Sequence, residues 1–299
     1  EHGLNELEAY VLNDIGRAYA TVGRPDDAFR SFEAAYERWQ ALGNEPMMAD
    51  VLGMWAQGRL LRGDPVGAEE LARKSLAIGQ RIGSPWAIAF NYYGLAFVLW
   101  ERERMDEALA MFWATIEWAM KAGFPSLGAG TAVLLRWLLH TLGRPDTDRD
   151  RLAAVMDAAG DVQQGDQLRR LFRGLDLFLA GDVAAALEAV TGSYVPEYHR
   201  DGPQAVTLAL IPPTIALAAG RPAEALAAVD ALLADMAFYG FTSQQGEAYR
   251  LRGDALRQLD RRDEARAAYT TALDIATAQG ALRSVEPARA ALEKLGIRN

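Results

Sequence analysis

Apolar residues along this chain recur at intervals of three and four, the spacing that places them on one face of an α-helix. Leu12, Ile15, Gly16 and Tyr19 form one such set, and Tyr92, Leu95, Ala96 and Leu99 another. The sets are interrupted on a regular schedule. Gly23, Gly63 and Gly143 stand on a forty-residue step, Glu103 fills the place between, and Gly181, Gly220 and Asp260 continue the series with small slips. Five residues after most of these markers comes an alanine: Ala28, Ala68, Ala108, Ala186, Ala225 and Ala265, with Asp148 as the exception. A second series, Gly43, Gly83, Gly123, Gly160, Gly202, Gly240 and Gly280, marks the far end of each unit. There a helix must end on a residue that tolerates positive φ.

Each unit therefore predicts helix, tight turn, helix, turn. The expected fold is all-α, a right-handed solenoid of about seven helical hairpins over residues 5–43, 45–83, 85–123, 125–160, 163–202, 203–240 and 242–280, followed by a C-terminal capping helix within 282–299. One hairpin cannot bury its own apolar face, so neighbours must stack and share a core, and residues 1–299 are expected to form a single solenoid domain. Pro212 and Pro213 fall inside the first helix of the sixth unit and should break or kink it by removing amide donors.

These positions resemble the tetratricopeptide repeat. That pattern has a small residue where the paired helices touch, a large one three further on, a turn, then alanine and an aromatic. "LNDIGRAYATVGRPDDAFRSFEAAYERW" carries Gly16, Tyr19, Ala28, Phe32 and Ala35 at those places, and "LRGDALRQLDRRDEARAAYTTALDIA" carries Gly253, Leu256, Ala265, Tyr269 and Ala272. The middle units depart from the pattern, with Arg59 at an aromatic position and Arg136 and Asp148 at small-residue positions. The forty-residue unit, with phrases such as "ARKSLAIGQRIGSPWAIAFNYYGLA", is similar to sensor regions of bacterial multidomain regulators of the maltose-regulator, LuxR-type and cyclase-fusion kinds. That resemblance implies a cytoplasmic receptor or scaffold segment, part of a longer polypeptide, working beside a separate effector domain.

The third unit is apolar on two faces. Besides the packing set from Tyr92 to Leu99, the residues Phe90, Tyr93, Phe97 and Trp100 form a second stripe, a quarter to a third of a turn away. In the resembled family these positions face the concave groove. The equivalent places bring in Trp137, His140 and Phe178 in the next two units, while the ends of the groove are polar or charged, with Asn13, Arg17, Gln57, Arg250 and Arg257. An apolar centre with a polar rim predicts a cover, either a peptide or an apolar small molecule. Amides and guanidinium groups at the edge suit peptide backbone or carboxylates. The alternative is a scaffold whose central aromatics collapse into extra core and whose partner surface, for another protein or a second copy of the chain, lies at the ends or outer face. "TGSYVPEYHRDG", with Tyr194, Tyr198 and His199, reads as a long connection or as a lid over the groove.

Composition removes most chemistry. A net charge of -9 does not supply the clustered positive charge that nucleic-acid binding needs. There is no cysteine, and His2, His140 and His199 are too scattered for a zinc site. No phosphate-loop or nucleophile-elbow motif is present. "DTDRDRLAAVMD" spaces its aspartates like a calcium loop, but Arg151 stands where that loop needs glycine, and Asp157 where it needs glutamate. The stretch from Ala205 to Gly220 is apolar, but it is shorter than a membrane span and contains both prolines. The expectation is a non-enzymatic module without cofactor or metal.

Overall fold

The structure is a computed structural model that describes residues 2–145, 147–160, 165–193 and 203–296. It is an all-α solenoid of paired helices ending in a final capping helix, with no strand among the described residues. The chain divides into two compact units. One comprises the chain up to Gly128 together with Phe238–Phe241, and the other Ala129–Ala237 with Thr242–Asn299.

In the first unit, α1 (His2–Thr21) pairs with α2 (Pro25–Leu42), α3 (Glu45–Leu61) with α4 (Pro65–Ile82), and α5 (Pro85–Glu101) with α6 (Met105–Lys121). Each boundary has a local cause. Proline opens α2 at a position where the missing amide costs nothing. Asn44 and Asp64 cap α3 and α4 by accepting from the amides of Met47 and Gly67 at 3.2 and 2.9 Å. The tight turns inside hairpins all use a left-handed residue: Gly23, Gly63, Gly143, Gly181 and Gly220 have φ between 64° and 87°, and Glu103 and Asp260 take φ of 61° and 59° at the same places. The turn geometry thus persists where the glycine that favours it is absent.

Small residues let the paired helices approach closely. A methyl group at Gly16 of α1 would stand 2.6 Å from Cε1 of Phe32 on α2. Around this contact Ala28, Phe32, Ala35 and Trp39 of α2 form a core with Ala9 of α1 and Val51 of α3. Polar ties join successive hairpins. The Ser75 hydroxyl of α4 donates to the Ala49 carbonyl at 2.5 Å, and its oxygen lies 2.6 Å from the Asn91 side-chain amide of α5. Glu69 of α4 meets Arg73, Arg102 and Arg104 at 2.6, 2.7 and 2.9 Å. Burial alone would raise its carboxyl, but the Arg73 hydrogen bond and the three positive charges hold it below the ordinary carboxylate range.

The second unit contains the rest of α7 (Pro125–Thr141), α8 (Arg149–Ala159), α9 (Gly165–Leu179), α10 (Val183–Val190), α11 (Pro203–Leu208), α12 (Ile211–Ala218), α13 (Pro222–Tyr239) up to Ala237, α14 (Gln245–Gln258), α15 (Arg262–Gln279) and α16 (Leu282–Lys294). The sixth unit's first helix is divided into α11 and α12, and the two prolines sit in the first turn of α12. This is the break their missing amides demand. Arg136, an unexpected residue at a small position, is buried against the Phe172 ring and pairs with Asp176, which also binds Arg149 at 3.0 Å. The repeat tolerates it because the charge is matched inside the unit. The last helix, α16, packs on α15 through Val285, against Ala276 and Ala281.

Candidate functional site

The aromatic residues singled out on α5 form one connected series. Phe90 lies 6.2 Å from Tyr93 between ring centroids, Tyr93 meets Phe97 edge-on at 5.1 Å, and Phe97 meets Phe112 of α6 edge-on at 5.1 Å. Twelve of the seventeen residues of α5 are buried, Tyr93, Phe97 and Trp100 among them, so the helix is apolar all round because neighbours cover it nearly all round. Phe90 is half-buried. Its ring stacks on Trp86 at 5.4 Å with planes 6° apart, and Trp86 is 43% exposed.

Trp86 was missing from the sequence expectation. It stands four residues before Phe90, so the helical spacing that linked Phe90 to Tyr93 and Phe97 extends to it as well. The stack makes Trp86 and Phe90 the open end of a series whose other members are inside the unit.

Helix α3 approaches this end at Gly53. A Cβ at Gly53 of α3 would stand 3.5 Å from Cδ1 of Phe90, which places that ring over the glycine. Asp50 and Gln57 lie three and four residues to either side of Gly53 on the same helical face. Asn13 of α1 is only 3% exposed and donates to Asp50, while its Oδ1 has no hydrogen-bond partner within the chain. Nε2 of Gln57 is likewise unpartnered. Burial raises the Asp50 carboxyl above its ordinary value, against the opposing pull of Asn13 and Arg17. Arg17 itself is exposed and only loosely paired with Asp14, at 3.9 Å. Asp50 was not among the expected site residues; charge on a groove face is not distinguishable in sequence from charge on a solvated one.

The other expected residues belong to the second unit. His140 is half-buried between Trp137, at 5.6 Å, and Phe178, which it meets edge-on at 5.5 Å. Arg250 is engaged by its own helix, with Glu247 at 2.6 Å and Asp254 at 2.5 Å. Burial opposes its charge, but the two carboxylates outweigh that and raise its affinity for the proton. Arg257 is exposed, and its charge and hydrogen bond act on Tyr269, whose hydroxyl donates to Asp254 at 2.7 Å. Burial and Asp254 together push the Tyr269 phenol up. Tyr194, Tyr198 and His199 lie outside the described residues. Among the described residues no group of three or more His, Asp or Glu side chains is arranged to hold a metal ion, and no helix is long and apolar enough to cross a membrane.

Residues 9–42 and 246–279 each match a model of the tetratricopeptide repeat. A tetratricopeptide repeat protein from Parabacteroides merdae ATCC 43184 is similar in structure with a TM-score of 0.52 and 13% identity, over 94% of this chain and 99% of that one. The Rap protein complexed with competence and sporulation factor gives 0.49 at 13% identity, over 97% and 75%, and yeast Tom70 gives 0.47 at 17%, over 92% and 61%. At 13% identity the first shows a shared fold. No curated protein sequence matches the chain. Two hairpins, one early and one late in the sequence, thus match tetratricopeptide repeats, and the chain is a helical-repeat protein related generically to other tetratricopeptide-repeat domains.

Proposed function

We propose that the chain is a non-catalytic interaction domain whose first unit docks a peptide segment on the face formed by α1, α3 and α5. The observation that supports this most is the Trp86–Phe90 stack, exposed at Trp86 and seated at Phe90 over Gly53 of α3, the helix whose Gln57 carries an unused amide donor. Asn13 offers an acceptor at Oδ1 and Gln57 a donor at Nε2. A peptide group presents the complementary donor and acceptor, while the aromatic pair accepts an adjacent apolar side chain. Tyr93, Phe97 and Trp100 form the floor behind Phe90, and Arg17 lies at the exposed rim. In the second unit, Trp137, His140 and Phe178 offer a further apolar surface, with Arg257 as the exposed cation and Arg250 held by its own carboxylates. An apolar small molecule on either aromatic surface is the companion reading. The role as sensor segment of a bacterial regulator rests on the resemblance of the forty-residue unit to the repeats of such proteins.

Two measurements test this. Native mass spectrometry of the purified chain reports a retained small molecule as an added mass lost on denaturation. Selection from a random-sequence peptide library displayed on phage, followed by calorimetric titration of the enriched peptides, should yield binders that Trp86→Ala and Phe90→Ala each weaken by roughly tenfold or more, as loss of an aromatic anchor does. Enriched peptides that bind both variants as well as the parent chain would refute the assignment of this face.

A further inference from the structure

Several carboxylates that the fold draws away from water are matched by arginine. Glu69 meets three arginines, Asp27 and Asp176 meet two each, and Glu247 and Asp254 share Arg250. Asp50 of α3 is not matched in this way. It is half-buried and forms no ion pair among the described residues. Its side-chain donor is the neutral amide of Asn13, a residue only 3% exposed. Arg17, whose charge reaches Asp50, extends into solvent with a side chain 61% exposed and lies beside Asp14. A half-buried carboxylate with a neutral donor alone keeps much of its desolvation cost.

The repeat itself does not call for a carboxylate at this place. Forty residues to either side, the same register holds Tyr10 and Phe90. One turn along α3 from Asp50 stands Gly53, and the Phe90 ring lies over it, 3.5 Å from where a Cβ would be. Three residues along a helix span about 4.5 Å, so an apolar ring and a carboxylate lacking a counter-charge stand within the length of one long side chain. Lysine and arginine have that build, with an apolar stem that settles on a ring and a cationic head that goes on to a carboxylate. A neutral side chain would leave Asp50 uncompensated, and an acidic one would add repulsion. The net charge of -9 also favours a cationic guest.

We propose that the peptide docked on the face of α1, α3 and α5 presents a lysine or arginine side chain to Asp50, with its stem on the Phe90 ring. This rests on the docking reading given above and adds to it the charge of the ligand. Asn13 acts as a positioning residue, holding the carboxylate by its amide. Arg17 has the same sign as the guest and opposes it. Removing Arg17 should therefore help binding, whereas a site built for a peptide carboxylate would lose by it.

Two random-peptide libraries displayed on phage test the proposal, one encoded without lysine, arginine and histidine, the other without aspartate and glutamate. Panned against the full chain, the second library should yield the binders, and these should carry lysine or arginine. In calorimetric titration of the N-acetylated synthetic peptides, Asp50→Asn should weaken binding roughly tenfold, the value of one charge-assisted hydrogen bond, and Arg17→Ala should tighten it. Replacing the peptide's cationic residue with glutamine should weaken binding to the parent chain to the same degree, and to the Asp50→Asn chain little. That peptide-side substitution keeps the test decisive should Asp50→Asn disturb the fold, which circular dichroism reports. Binders from the library without cations, weakened by Trp86→Ala but not by Asp50→Asn, would overturn the cationic ligand and leave the docking face standing. Binders indifferent to both Trp86→Ala and Phe90→Ala, or no binders from either library, would overturn both readings.

Discussion

Replacing Phe97 with alanine separates a packing role for the α5 aromatics from a contact role. The ring is 2% exposed and lies edge-on to both Tyr93 and Phe112, each at 5.1 Å, so its removal opens a cavity between α5 and α6. Phe→Ala at such a site costs about 3–5 kcal/mol, as the sum of lost transfer free energy and a cavity that the surroundings only partly fill. In urea, at a slope of about 3 kcal/mol per molar, a loss of about 4 kcal/mol moves the midpoint by about 1.3 M. Trp86→Ala, at a 43% exposed ring, should move it far less while weakening any peptide bound to that face. The assay is urea unfolding followed by circular dichroism, with the tryptophan fluorescence of the same samples as a second probe. Helical repeats unfold by units, so the shift should appear in the transition of the unit that contains α5. A Phe97→Ala midpoint within a few tenths molar of the parent would refute the argument, because it would mean that the ring is not part of the packed interior.

Three further outcomes follow from local geometry. Gly16→Ala and Gly253→Ala should each destabilise by roughly 1–3 kcal/mol, because the added methyl lies 2.6 Å from the Phe32 ring and 2.5 Å from the Tyr269 ring, whereas Gly94→Ala, with nothing within 4 Å, should stabilise by roughly 0.5–1 kcal/mol in the same denaturation assay. Glu69→Gln should cost on the order of 1–2 kcal/mol at neutral pH, the half-exposed arginines being partly screened. The native Glu69 carboxyl is held below 4.5, so its contribution is complete above that pH and lost as pH falls through the lowered value; thermal melts of the variant should show a shallower acid loss than the parent. Asp50 has the opposite sign: its carboxyl is raised above 3.8 by burial, so stability declines as pH rises from there through the raised value, and Asp50→Asn should flatten that part of the melting profile.

Much of the fold was legible because its causes are local. The spacing of apolar residues, the alanines five places after each marker and the glycines at unit ends specify where helices run and stop, since helical hydrogen bonds and left-handed turns involve only near neighbours. The division of α11 from α12 at Pro212 and Pro213 is of the same kind. So are the Trp137–His140–Phe178 grouping, which follows helical spacing within α7 and the repeat step to α9, and the hairpins at 9–42 and 246–279.

Exposure is a different matter, because it depends on residues far along the chain. On α5 both stripes are apolar, and helical spacing treats Phe90, Tyr93, Phe97 and Trp100 alike; only the positions of α3, α4 and α6 decide that Phe90 stays partly open beside Trp86 while the others are enclosed. Likewise Arg250 has the same side chain wherever it stands, and only the structure shows it paired with Glu247 and Asp254. On α1 the logic reverses. Ile15 belongs to an apolar three-and-four set in the sequence, yet in the structure it is 38% exposed, beside exposed Leu4, Leu7 and Val11. Local sequence determined the helices and turns; the arrangement of distant helices determined which of their faces remain to bind anything.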